Sequence, residues 1–311
     1  MALCSVLVAA YNVQAFVAEA VDSALRQTYP QKEVIVVNDG STDDTPSVLE
    51  RFRHRIRYIE QPNRGLAAAR NRALQDARGS YLALMDGDDV WAADRLERVV
   101  GFLEGRPEVG FATSDAYFLD ETGRSEARYY DELPGGFRED DQAYWILEYN
   151  FVMGMAVIRR QLFETHGTFD ETLRTSEDWE LWIRFLLGGE RAGLVDEPLA
   201  QYRRRSGSLS MDWSRISEDA LAIIERAVDR PESRSIPRLG TVLYRRGLQA
   251  LVLGDLRRGR KFLSLAGRDA TSPSGLRARA LALASMPALG RRLYQRVRPA
   301  AFKVPQAPGQ S

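Results

Sequence analysis

The chain has 311 residues, of which 44% are hydrophobic and 28% charged, a globular balance with room for one large core or for one domain and an appendage. Its 43 Lys/Arg and 43 Asp/Glu cancel, but unevenly: residues 212–311 hold nineteen Lys/Arg against eight Asp/Glu, a net charge of +11, so residues 1–211 carry −11. The lone cysteine, Cys4, excludes an intrachain disulfide, the amino terminus has no basic leader, and no apolar run approaches the ~20 residues of a spanning helix; the expectation is a cytoplasmic protein, free or peripheral to a membrane, not integral to one.

Residues 3–10 are continuously apolar and β-branched, as in a parallel strand buried on both faces, and Tyr11-Asn12 breaks the run. Apolar residues near helical spacing predict a helix over 13–27. A second buried strand over 33–37 ends in Asn38-Asp39-Gly40-Ser41, and a helix over 45–52 follows. A short strand at 56–60, an Ala-rich helix over 65–78 and a fourth strand at 81–85 complete a β-α-β-α-β-α-β run with short connections. That alternation predicts an α/β fold, Rossmann-like, with a mostly parallel central sheet. Neither Gly-x-Gly-x-x-Gly nor a Gly-Lys-Ser/Thr phosphate loop is present, so phosphate must be gripped by other means.

Next come a helix over 94–104, a strand over 109–119, a polar loop over 120–142 and an apolar strand over 151–158. Gly154 lies in the middle of that strand, which suggests close approach of a backbone or a ligand. A short helix and turn at 163–169, an amphipathic helix at 177–187 and short strands at 194–195 and 199–203 follow. From 216 onward the pattern is helical and Arg-rich, with a hairpin of 236–253 and 256–266 broken at Gly254-Asp255 and a further helical stretch over 275–298. The expected division is an α/β domain over 1–211, a basic helical extension over 212–298 and a disordered tail over 299–311.

The segment 82–89, Leu-Ala-Leu-Met-Asp-Gly-Asp-Asp, ends a buried strand in three carboxylates within four residues. Taken alone it also suits a solvated turn. Buried together, such carboxylates call for a cation, and hard oxygen donors suit Mg²⁺ or Mn²⁺. Three other polar clusters fall at the same kind of position: Ala10-Tyr11-Asn12, Asn38 to Ser41, and Asn63-Arg64-Gly65 with Arg70-Asn71. In a parallel sheet these ends converge at the carboxyl edge, where open α/β sheets hold ligands.

Five motifs, in order, carry a resemblance. They are Val-Ala-Ala-Tyr-Asn (8–12), Val-Asn-Asp-Gly-Ser-Thr-Asp (37–43), Asn-Arg-Gly-Leu-Ala-Ala-Ala-Arg-Asn (63–71), Met-Asp-Gly-Asp-Asp (85–89) with Asp-Arg-Leu (94–96), and Ser-Glu-Asp-Trp-Glu-Leu-Trp (176–182). Over residues 3–210 the chain resembles the family 2 inverting glycosyltransferases, which have the GT-A fold. The resemblance implies a metal-dependent enzyme that moves a sugar from a nucleotide-sugar to a hydroxyl of a glycan, polysaccharide or lipid-linked saccharide. It implies that Asp39 bonds the nucleobase, that Tyr11, flanked by Ala10 and Asn12, packs on the base ring, and that Arg70 offsets the diphosphate. Asp86-Gly87-Asp88 becomes the Asp-x-Asp motif, with Asp88 the ligand of a divalent metal (Mn²⁺ or Mg²⁺) and Asp86 beside it, facing the donor's sugar and ribose. Asp178 matches the base that deprotonates the acceptor; at a helix amino terminus the dipole is expected to lower its pKa. Glu177 and Trp179 fall near the acceptor, while Trp182 suits the core.

One departure stands out. Relatives often carry a His after the final strand; here Tyr202-Arg203-Arg204-Arg205-Ser206-Gly207-Ser208-Leu209-Ser210 puts Arg205 at that position. A guanidinium ligates no metal, so Arg205 is expected to meet the donor's phosphates directly. Segments 120–150 and 203–215 are the expected seat of specificity. The basic extension suits either a solvated appendage or contact with an anionic membrane; no nucleic-acid motif accompanies its charge. A non-catalytic nucleotide-sugar-binding scaffold and a nucleotidyltransferase are the alternatives. Intact Asp88 and Asp178 speak against the first, and the lack of a Gly-rich basic loop after the first strand speaks against the second.

Overall fold

The computed structural model describes residues 1–205, 208 and 212–285. Predicted features at 286–311, including the disordered tail, lie outside the described residues. The described chain forms two compact units that divide at Ile223/Ile224, inside a helix.

The first unit is built on a nine-stranded mixed sheet. Strands β1 (Cys4–Ala10), β2 (Lys32–Asn38), β3 (Arg57–Glu60) and β4 (Tyr81–Asp86) are parallel, in the order β3-β2-β1-β4. Helices α1 (Val17–Leu25), α2 (Thr45–Glu50) and α3 (Leu66–Asp76) make the crossovers. The apolar runs explain this half. Val6, Leu7 and Val8 are at most 1% exposed, and each such side chain stabilises the fold by roughly 1.5–3 kcal/mol relative to an exposed one. The register pairs Ala10 with Asn38 and Ala9 with Asp86, so the carboxyl ends of β1, β2 and β4 lie level.

After the two-residue β5 (Val90–Trp91) and α4 (Arg95–Glu104), the sheet changes character. Strand β6 (Phe111–Asp120) pairs parallel with β9 (Ala192–Arg203) and antiparallel with both β7 (Gly123–Arg128) and β8 (Val157–Arg159). Strand β8 joins this part antiparallel to β4, and β5 caps β9. Three sequence expectations change here. Residues 120–142 are not one loop but contain β7, the short α5 (Tyr129–Glu132) and the start of α6 (Gln142–Glu148). The predicted strand over 151–158 pairs only from Val157; residues 151–156, all buried except the half-buried Gly154, have no strand structure. The two short strands at 194–195 and 199–203 are one strand, β9, with irregular pairing near Pro198. Helices α7 (Arg160–His166) and α8 (Glu177–Leu187) complete the layer around Trp182, which is fully buried and stacked on Phe111 at 4.8 Å.

The second unit begins within α9 (Trp213–Asp229) and continues through a short 3₁₀ turn (Pro231–Ser235), α10 (Leu239–Leu253), α11 (Leu256–Arg268) and α12 (Ser274–Ser285). The break foreseen at Gly254-Asp255 is where α10 ends in a left-handed residue, φ 86°, and Asp255 caps α11 by accepting from Arg258 N. Glu225 gathers Arg257, Arg258 and Lys261, and these cations hold its carboxyl down to about 2. No helix among the described residues is long and apolar enough to cross a membrane.

Candidate active site

The level strand ends bring the first two polar clusters together. Asp39 N donates to Ala10 O at 2.9 Å. Asn12 sits in the left-handed region, φ 50°, a conformation Asn tolerates better than most residues. From there it donates its N–H to Ser41 Oγ and accepts from Thr42 N at 2.8 Å. Val13 N bonds Thr45 Oγ1, and Gln14 bonds both Asp43 and Asp44. The loops after β1 and β2 are thus stitched to each other. Asp39 is 3% exposed, and its carboxylate accepts from Gln61 Nε2, Arg64 N and Gly65 N at 2.7–3.0 Å. It therefore shapes the entry to α3 as well as the strand edge. Tyr11 projects beside it, 45% exposed.

Gly87 turns the chain out of β4. A Cβ there would lie 2.9 Å from Ala9 O, so only glycine lets this turn sit against β1. The turn presents Asp86 partly to solvent and Asp88 mostly covered, while Asp89 is buried with Oδ1 accepting from Arg203 N. Burial and the neighbouring Asp86 charge push the Asp88 carboxyl up, against the pull of Arg205. Asp89 is pushed well up by burial and by both neighbouring carboxylates. Its Oδ2 and the Nη1 of fully buried Arg95 have no hydrogen-bond partner among the described residues. Burial brings Arg95 down to about 9.

Arg70 joins the two halves of the site. It is 3% exposed, with Nη2 on Asp86 Oδ1 at 2.8 Å, Nη1 on Glu177 Oε1 at 2.5 Å and the guanidinium over the Phe169 ring at 5.6 Å. It lies beneath the surface, its charge shared by two carboxylates. Burial lifts Glu177 to about 7, even though Arg70 pulls it down.

Asp178 is half-buried on the first turn of α8. Its Oδ1 accepts from Trp179 N at 2.7 Å, and Asn150 Nδ2 approaches Oδ2 at 3.4 Å. The expected lowering by the helix dipole is overturned: burial raises the Asp178 carboxyl, with Arg70 opposing. Loss of solvation penalises the charged form, and it is the largest influence on this carboxyl. Gly154 explains the fit, since a Cβ at that position would lie 2.9 Å from Asp178 Oδ2. The close approach foreseen at this glycine is to a carboxylate of the site itself. Trp179 is 6% exposed and donates its indole N–H to Ile146 O, which leaves little ring surface for a sugar.

Arg205 lies on Asp88, Nε to Oδ2 at 2.7 Å, rather than in open solvent. Arg203, which the sequence reading passed over, donates Nε to Asp88 O at 2.7 Å and stacks over Phe16 at 4.6 Å. Asn150 was also passed over; a polar residue beside an apolar run carries no distinguishing signal. Arg203 had one, its place in the Tyr-Arg segment next to Arg205.

Five carboxylates (Asp86, Asp88, Asp89, Glu177 and Asp178) thus share the site with four guanidinium groups, those of Arg70, Arg95, Arg203 and Arg205. A bound diphosphate would add further negative charge, so the donor set fits an additional cation. Among the described residues no group of three His, Cys, Asp or Glu side chains is arranged to hold an ion. Asp86 and Asp88 would therefore supply a minority of the oxygen ligands that Mg²⁺ or Mn²⁺ takes.

A sequence profile described as "Glycosyl transferase family 2" matches residues 5–167, just over half of the chain. The chain belongs to glycosyl transferase family 2. This transferase is 30% identical over 213 residues to TuaG of Bacillus subtilis, named for teichuronic acid biosynthesis, with 67% of this chain and 81% of TuaG covered. It is 32% identical over 220 residues to the uncharacterised glycosyltransferase EpsJ of the same organism, with 67% of this chain but only 63% of EpsJ covered. Among solved structures, TarS 1–349 of S. aureus in complex with UDP-GlcNAc superposes with a TM-score of 0.72 at 20% identity, over 95% of this chain and 91% of that one. The mannosyltransferase PcManGT of Pyrobaculum calidifontis, in complex with GDP-Man and Mn²⁺, gives 0.59 at 21% identity, over 96% and 84%. The transferase accordingly has the mixed α/β GT-A fold, as its motifs imply.

Proposed function

We propose that this family 2 glycosyltransferase moves a sugar from a nucleoside diphosphate sugar to a hydroxyl of a saccharide or lipid-linked saccharide, with inversion and with the help of a divalent cation. The observation that carries the reading is the buried bridge Asp86–Arg70–Glu177, which fixes the carboxylates at the end of β4 relative to Asp178 on α8. In this reading the base ring packs on Tyr11 at the edge formed by Ala10, Asn12 and Asp39. Asp178 takes the proton of the acceptor hydroxyl as its oxygen attacks the anomeric carbon. The bond from that carbon to the phosphate oxygen breaks on the opposite side, and the nucleoside diphosphate leaves with the electron pair. A carboxyl raised by burial is a better proton acceptor near neutral pH than an ordinary one. Asp88, with Asp86, would hold the cation, which when bound supplies Lewis-acid stabilisation of the leaving diphosphate.

The named ligands of the structural relatives differ, UDP-GlcNAc in one and GDP-Man in the other, so the class of donor is proposed and not the sugar. The test is a panel of UDP- and GDP-sugars, each with and without Mn²⁺, read by thermal shift and by nucleotide release on adding saccharide acceptors. Stabilisation by one nucleotide class, stronger with Mn²⁺, is expected. No response to any donor would refute the proposal.

A further inference from the structure

Asp88 has a cation from the chain itself. Arg205 Nε sits 2.7 Å from Asp88 Oδ2, with 27% of the Arg205 side chain and 14% of the Asp88 side chain exposed. The guanidinium lies 5.9 Å above the Phe16 ring, and Arg203 is anchored next to it by its bond to the Asp88 carbonyl. A divalent ion approaching Asp88 would therefore meet a fixed positive charge, and one carboxylate oxygen is already committed to it. Asp86 is likewise half committed, since its Oδ1 is held by Arg70.

We infer that Arg205 is a resident counter-cation for Asp88, so that Asp88 takes up a divalent cation together with a nucleoside diphosphate and not before it. This rests on the proposed donor site. The diphosphate supplies what Asp88 gives up: phosphate oxygens form forked bonds with a guanidinium, so Arg205 transfers to them while the metal takes its place on Asp88. Metal and nucleotide are then coupled positively, and by linkage each strengthens the other by the same factor. In this scheme Arg205 contacts the donor's phosphates directly and acts on the metal only through Asp88.

The test titrates Mn²⁺ against the full chain and follows loss of the free-ion electron paramagnetic resonance signal, alone and with UDP or GDP. For the wild type, weak uptake of Mn²⁺ alone is expected, strengthened at least tenfold by one of the two nucleotides. Arg205→Gln is expected to bind Mn²⁺ alone at least tenfold more tightly than the wild type, with a reduced response to nucleotide. Arg205→Lys, which keeps the charge, is expected to resemble the wild type. Tight uptake by the wild type without nucleotide, equal to that of Arg205→Gln, would overturn the inference and leave the donor reading standing. The coupling in the wild type needs no variant, so a variant that fails to fold does not remove the test. No Mn²⁺ uptake under any of these conditions would overturn both the inference and the metal-dependent donor site.

Discussion

Replacing Arg70 by Met keeps its apolar stem and removes its charge. Two costs follow, and they differ with pH. The Asp86 partner is 32% exposed, so solvent screens that pair and its loss costs about 1 kcal/mol or less. The Glu177 partner is 5% exposed and already raised by burial to about 7. Without Arg70 its carboxyl rises further, and the folded variant keeps the proton while the unfolded chain, with an ordinary Glu, has lost it. Above pH 7 the variant therefore loses stability relative to the wild type at about 1.4 kcal/mol per pH unit, until its own Glu177 titrates. Below pH 7 both folded forms hold the proton and the difference is flat. Arg70→Met should therefore destabilise the protein by about 2 kcal/mol more at pH 8.5 than at pH 6. Urea unfolding of both proteins at the two pH values measures this. Equal losses at both pH values would refute the placement of Glu177 as a buried carboxylate whose ionisation depends on Arg70.

Two further substitutions probe the other half of the site. Asp178→Asn removes the proposed base while leaving Arg70 and Glu177 in place; transfer should fall by about 10²–10⁴-fold, with nucleotide affinity nearly unchanged in a binding titration. Gly154→Ala would set a methyl group 2.9 Å from Asp178 Oδ2. The carboxylate is the movable partner, so kcat should drop on the order of tenfold or more while the melting temperature shifts little; an unchanged kcat would show that Asp178 need not stay where Gly154 lets it lie.

The residues that the sequence made legible are those whose signal is local. Strands β1 and β4 announce themselves as uninterrupted apolar runs, and Asn38-Asp39 and Asp86-Gly87-Asp88 are visible as the points where those runs stop. Segment 151–156 shows the limit of that signal. Phe151, Val152, Met153 and Met155 are buried, so their pattern is that of a core strand, yet the chain there is irregular, with Gly154 passing against Asp178. Strand β7 failed for the opposite reason: its residues are polar and half-exposed, and it pairs only with β6. Arg70 has an unremarkable place on an Ala-rich helix. Its burial is dictated by carboxylates 16 and 107 positions away, which no spacing rule connects. The direction of the Asp178 shift is hidden from the sequence for a related reason, since a dipole can be read from a helix start but desolvation depends on what covers it.

The stitching of the loops after β1 and β2 has a thermodynamic consequence for ligand capture. Ordering a loop residue costs roughly 1–2 kcal/mol of backbone entropy. Here Asn12, Val13 and Gln14 are held by Ser41, Thr42, Thr45, Asp43 and Asp44 within the folded protein, so that ordering is complete before any nucleotide arrives. Under the proposed donor placement the nucleoside end of the pocket is a rigid mould, and the entropic penalty of donor association falls instead on the proposed phosphate end, where Arg205 would change partners. Affinity for the bare nucleoside should accordingly depend on the shape of that mould, and affinity for the diphosphate on ionic strength.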